Sequence, residues 1–192
     1  RGALFIRSGN LTAGGAANTP GEIVIRNVGN NGTTNNRSGF SRAFVALTIT
    51  SNIVDNGSGA VTLTKFGPQQ THLYGSNTYS GGTYVLEGTV VSWAANNLGT
   101  GPVYVHYDSW SDPLNAGAVW LAASGTYVND FYLAGKGGHN EGGGVTTNTS
   151  GAIYIRPGSG SGVLLSGNVT LTDDVRITTA NNTSVTFAGK IT

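Results

Sequence analysis

Cysteine is absent from the 192 residues, so no disulfide framework, thiol nucleophile or cysteine-based zinc site can be built. Methionine is absent too, and Arg1-Gly2-Ala3 does not open a signal peptide, so the expectation is a processed or excerpted piece of a longer product. Charge is scarce: Asp, Glu, Lys and Arg together make up 10% of the chain, against roughly 25% in an average soluble protein. The ten basic residues are scattered and the formal net charge is +1. That leaves no electrostatic footprint for nucleic acid or for an anionic membrane. No apolar run approaches a membrane-spanning helix, so this segment is not expected to insert into a bilayer directly. An apolar stripe at helical spacing is missing as well.

What the chain has instead is glycine, 31 of them, with abundant Asn, Thr and Ser between short apolar runs. Runs rich in β-branched and aromatic residues include Ala3–Arg7, Glu22–Arg26, Ala43–Thr50, Ala60–Thr64, Thr83–Leu86, Val103–Tyr107, Ala118–Leu121, Tyr127–Leu133, Ala152–Arg156 and Ser184–Phe187. Turn-forming residues bound each run, which predicts an all-β protein. A sandwich and a solenoid both accommodate many short strands. Internal repetition favours the solenoid, because Gly2-Ala-Leu-Phe-Ile-Arg7 returns as Gly151-Ala-Ile-Tyr-Ile-Arg156, with echoes at Gly59–Leu63 and Gly117–Leu121. Uneven spacing predicts outward loops at Gly29–Gly39, Tyr107–Gly117 and Gly135–Gly151. Residues 1–192 read as one domain.

The most specific segment is Leu73-Tyr-Gly-Ser-Asn-Thr-Tyr-Ser-Gly-Gly-Thr83, followed by Val85-Leu-Glu-Gly-Thr89 and Asn97-Leu-Gly-Thr-Gly-Pro-Val103. It resembles the autotransporter-associated β-strand repeat, also called the passenger-associated transport repeat. Val90–Trp93 departs from the family's Leu-rich strand, and Asn97 stands where Ala is common. The resemblance implies a single-stranded right-handed parallel β-helix in a large bacterial secreted or surface protein, and it implies no chemistry. A coil of on the order of twenty residues gives roughly seven to nine coils at about 4.8 Å each. The signature turn is Asn77, Thr78, Tyr79, Ser80, Gly81, Gly82 and Thr83. Its glycines permit positive φ, and Asn77 can bond to backbone groups of the turn or of a stacked Asn.

Alternation within strands assigns side chains to faces. Leu4, Ile6, Val103, Val105, Val119, Leu121, Phe131, Leu133, Ile153 and Ile155 should face the core. Phe5, Tyr104, Trp120, Tyr132 and Tyr154 then point outward, and if their strands share one sheet they make a surface aromatic ladder. Three readings of that face compete: rings packed on one another or under a loop, a lateral interface, and a sugar-binding track.

Catalytic chemistry finds little to stand on. A glycosidase needs two carboxylates across a cleft, and a lyase needs a base beside a metal or Arg. The acids are few, and the adjacent pair Asp173-Asp174 is expected in a turn. Asp108 and Asp112 lack the dense Asp/Gly spacing of a calcium loop. His72, His106 and His139 show no metal-ligand spacing. No Gly-x-Ser-x-Gly elbow occurs, and neither Gly158–Gly162 nor Gly189-Lys190 forms a nucleotide loop. Several Asn-x-Ser/Thr triplets follow from composition alone. No catalytic residue, cofactor or metal ligand is therefore assigned.

The resulting expectation is a structural, non-enzymatic rod segment of an extracellular or bacterial cell-surface protein or fibre. It would stack end to end or laterally on itself, or continue into neighbouring repeats. The alternatives are an adhesin that binds surface glycans through outward aromatics, and a polysaccharide lyase or hydrolase. Neither end shows a polar cap, which predicts self-association of the isolated segment.

Overall fold

Glycine, asparagine and proline break the apolar runs every few residues, so each strand is short and the chain turns soon after it starts one. The computed structural model describes residues 4–27, 46–67, 69–106, 116–137, 151–158, 161–180 and 182–192. Among these the fold is all-β, without a helix. The loop expected at Gly29–Gly39, and most of those at Tyr107–Gly117 and Gly135–Gly151, lie outside the described residues. So do Asp108, Asp112 and His139.

Strands pair in parallel across long stretches of sequence. One sheet has seven strands, in the order β1 (Leu4–Ile6), β4 (Leu47–Ile49), β7 (Gln70–Leu73), β9 (Thr89–Ser92), β11 (Ala118–Leu121), β14 (Ile153–Ile155) and β17 (Ile177–Thr179). A second has six, β3 (Gly21–Arg26), β6 (Val61–Phe66), β8 (Thr83–Val85), β10 (Val103–Val105), β13 (Phe131–Gly135) and β16 (Val169–Val175). Two smaller sheets lie between these in sequence: β2 (Asn10–Leu11) with β5 (Asn52–Ile53), and β12 (Gly125–Tyr127) with β15 (Gly162–Leu165) and β18 (Ser184–Phe187). The chain thus visits the seven-stranded sheet seven times, and between visits it contributes to the six-stranded one. Spatial order equals sequence order throughout. This is a solenoid-like arrangement of parallel strands.

Register converts the repeat into columns of like side chains. In the seven-stranded sheet, Leu4, Leu47, Thr71, Val90, Val119, Ile153 and Ile177 align rung on rung. In the six-stranded sheet, Ile23, Leu63, Thr83, Val103, Phe131 and Val169 do the same. The inward members of the middle passes form one continuous apolar core, including Ile49, Leu63, Leu73, Val85, Leu121, Phe131 and Ile155. The inward assignments hold at Val103, Val105, Val119, Leu121, Phe131, Leu133, Ile153 and Ile155, all buried. Leu4 departs from its assignment. It is 61% exposed, and among the described residues its strand has a neighbour on one side only.

Two further readings need correction. The run Tyr127–Leu133 is two strands, β12 and β13, separated by Val128-Asn-Asp130, and Val128 is exposed. Asp173 and Asp174 do not sit in a turn. They lie within β16, where the register against β13 shifts between Leu133 and Gly135. The extra residues form an irregular bulge, and both carboxylates face solvent.

Candidate functional site

Every second residue of Thr71–Ser80 is buried, those between being half-buried (His72) or exposed, and the alternation runs beyond the end of β7 into the signature turn. Asn77 and Tyr79 therefore point inward, while Thr78 and Ser80 point out. Burying an amide needs partners, and Asn77 has them in the passes on either side. Its Oδ1 accepts from the Ile53 N–H at 2.7 Å, and its Nδ2 donates to the Asn97 carbonyl at 2.6 Å. Asn97 in turn donates from Nδ2 to the Gly75 carbonyl. Asn129 repeats the device one pass on, donating to the Gly99 and Gly101 carbonyls at 3.1 and 2.7 Å. The asparagines act between passes rather than within their own turn. Tyr79 is fully buried, with its hydroxyl 2.5 Å from Thr83 Oγ1, and burial raises its pKa.

The two glycines of the turn are required for different reasons. Gly82 has φ of 94°, a left-handed conformation that side chains resist. Gly81 has ordinary φ, but a Cβ there would stand 2.6 Å from the Val61 carbonyl oxygen of the preceding pass. Either residue replaced by Val should lower stability by about 2–3 kcal/mol. Urea unfolding of the two variants checks this; wild-type midpoints for both would refute it.

The five outward aromatics do not form one ladder. The structure divides them between two sheets, because their strands alternate between the sheets along the chain. Tyr104 and Tyr132 lie on the six-stranded sheet with Tyr84, which sequence reasoning did not single out. These three are in register on adjacent strands and their rings stack, at 4.5 Å between Tyr84 and Tyr104 and 4.8 Å between Tyr104 and Tyr132. Strand spacing is about 4.8 Å, so parallel in-register tyrosines meet face to face. The signal for Tyr84 was available: it alternates with Thr83 and Val85, both buried.

Phe5, Trp120 and Tyr154 lie on the seven-stranded sheet. Trp120 and Tyr154 join a cluster with His72, Tyr74 and Trp93. Tyr154 is not the exposed surface ring that alternation predicts: it is buried, tilted against Trp120 at 5.7 Å. Tyr74 and Trp93 are stacked at 5.4 Å, and both are exposed. The Trp93 indole N–H donates to His72 Nδ1 at 3.2 Å, and His72 Nε2 is 2.8 Å from Gln70 Oε1. Burial lowers the His72 pKa. Phe5 stands apart from this cluster in sequence and packs its ring under the Arg7 guanidinium at 4.1 Å.

Compared with known proteins, the chain matches no family model, no curated protein and no solved structure. Its chemistry has to be read from its own geometry.

One buried group escaped sequence reasoning altogether. Lys65 sits at the inward position of β6 next to Val85, in a column that is otherwise aliphatic. It is fully buried, and its Nζ donates to three backbone carbonyls, of Phe66 (3.2 Å), Gly67 (2.5 Å) and Glu87 (2.9 Å). Burial pushes the amine down to about 7, partly opposed by the Glu87 charge. Glu87 itself accepts from the Gly67 N–H at 2.9 Å. Continuing the alternation of Val61 and Leu63 by one step would have placed Lys65 inside.

Asp55 and Asp130 hold backbone amides. Asp55 Oδ1 accepts from the Val61 and Ser80 N–H groups at 2.8 and 2.9 Å. Burial pushes its carboxyl up, but these hydrogen bonds outweigh that and hold it below its ordinary value. Asp130 accepts from the Asn168 N–H, and Asn168 from the Lys190 N–H, tying three successive passes. Among the described residues no group of three His, Asp or Glu side chains converges as a metal site would require. No helix of the described residues is long and apolar enough to cross a membrane.

Proposed function

We propose that this chain is a segment of a single-stranded right-handed parallel β-helix whose role is structural: a rod segment of an extracellular or bacterial cell-surface protein or fibre, extended at its ends by further coils. One observation carries the reading. Along the column that runs through the seven-stranded sheet, Val90, Val119 and Ile153 are completely buried, yet the end members Leu4 and Ile177 are 61% and 37% exposed. The rungs at both edges of the column are apolar. Leu171 and Ile191 add further exposed apolar surface at the second end. Such a surface, combined with the unpaired N–H and C=O groups of an edge strand, is a template for another strand in register.

The occupant that fits is one more coil, either the same chain continued or a second copy stacked end to end. The division of labour among the carboxylates also favours a structural role, since Asp55, Glu87 and Asp130 each hold a backbone amide. The similarity of the Asn77–Thr83 turn to the passenger repeat supports the same reading from the sequence side.

Sedimentation velocity across a concentration series tests the proposal. The expected result is concentration-dependent association that is suppressed when Ile177 and Leu171 are replaced by Lys, because both are exposed and their loss leaves the core intact. A monodisperse monomer at high concentration would overturn it.

A further inference from the structure

The tyrosine ladder stops abruptly, and the place where it stops has the chemistry of a sugar site. Continuing the register from Tyr132 through Tyr104 and Tyr84, the next rung is Thr64 and the one beyond is Val24, which is 53% exposed. Each inner tyrosine face is covered by the next ring. Tyr84 has one face against Tyr104, and the other looks over Thr64 into a shallow open groove lined by Glu22, Thr62, Thr64, Tyr84 and Leu86. The missing ring leaves a space one strand spacing deep, about 4.8 Å. The stacked tyrosines themselves, with centroids 4.5 and 4.8 Å apart, show that a flat ring fits against a tyrosine face at this spacing.

The rim decides what fills it. The Glu22 carboxylate accepts from the Thr64 hydroxyl at 2.5 Å through one oxygen, which draws it to the rim of the groove. Glu22 is exposed, and the Thr62 hydroxyl lies in the same groove, donating to the Gly81 carbonyl at 3.3 Å. A guest therefore needs one flat C–H face for Tyr84 and hydroxyl donors at its edge for the carboxylate. A purely aromatic guest would desolvate these oxygens without replacing their hydrogen bonds. An acidic guest would be repelled by Glu22. We infer that the groove is a carbohydrate-binding subsite that takes a neutral pyranose, stacked on the free face of Tyr84 with its hydroxyls on Glu22.

This goes beyond the structural role proposed above and does not depend on it. A rod that never self-associates could still carry the subsite.

The test is saturation-transfer NMR on the intact chain. The ligands are methyl glucoside, galactoside and mannoside, with methyl glucuronide as the acidic control and N-acetyl-tyrosinamide as the aromatic one. Transfer to the C–H protons of at least one neutral glycoside is expected, with little or none to the glucuronide. Thr64→Tyr supplies the missing rung. It should weaken binding about tenfold or more while leaving the fold intact, since position 64 faces outward. Glu22→Ala, at an exposed position, should weaken binding by a similar factor and keeps the test decisive if the tyrosine variant misfolds. The inference is overturned if no neutral glycoside shows transfer at concentrations on the order of 10 mM. It is equally overturned if binding is unchanged in both variants, or if the aromatic control alone binds.

Discussion

Asn77→Ala should be the most damaging single substitution on the polar side of the core, lowering stability by about 3–4 kcal/mol. The side chain is buried and joins two neighbouring passes: it holds the Ile53 N–H on one side and the Asn97 carbonyl on the other. Truncation strands both backbone groups away from water, each at a cost of about 1–3 kcal/mol. It also removes the alignment of Asn97, whose own Nδ2 holds Gly75. Asn77→Asp keeps the acceptor but sets an oxygen against the Asn97 carbonyl and buries a charge, so it should cost at least as much as Ala. Urea unfolding of the two variants measures the series. If Ala and Asp were equally mild, the inter-pass amide would not be a significant contributor.

The second large effect is a dependence on pH, and it comes from Lys65. In the unfolded chain this amine titrates at its ordinary value of 10.5, and in the folded chain at about 7. Between those values the unfolded state binds a proton that the folded state does not, so stability rises with pH across that window. Below about pH 7 both states are protonated and the contribution is flat at its least favourable level. His72 acts in the same sense at lower pH, since burial places its folded pKa beneath the unfolded 6.5. Above pH 10 the sign reverses. Tyr79 and Tyr127 are raised by burial, Tyr127 to about 12, so the unfolded chain gives up those protons first and stability falls. The expected curve peaks near pH 9–10, with a rise of about 2–3 kcal/mol from pH 7. Lys65→Met should flatten the rising limb and leave the high-pH fall in place. A wild-type curve that is level between pH 7 and 9 would mean that the amine keeps its proton inside the core.

The fold was largely legible from period-two alternation and from the glycine and asparagine between the runs. Ala118–Leu121 and Ser184–Phe187 are strands as read, and Val103 to Val105 face as read. The two-residue strands β2 and β5 left no mark, because Asn10-Leu11 and Asn52-Ile53 are too short to show a period. Their pairing is set by the passes above and below. Partition of the aromatics between sheets was illegible for a related reason. Alternation reports which way a side chain points relative to its own strand, and says nothing of which sheet that strand joins. Tyr104 and Trp120 look equivalent in the sequence, yet they stand on different faces. Lys65 was missed because a charged residue after Thr64 reads as the end of a strand, and only the three carbonyls around its amine make burial tolerable.

Among the described residues each strand of the seven-stranded sheet pairs only with the passes immediately before and after it, so a pull on the two ends of the chain meets no tie between distant passes of this sheet. Tension would be borne at one edge at a time, starting at β1 or β17, and each pass that peels away would release its slack before the next is loaded. The molecule would yield as a spool does, in small steps with the remainder still wound, rather than bursting at a single force.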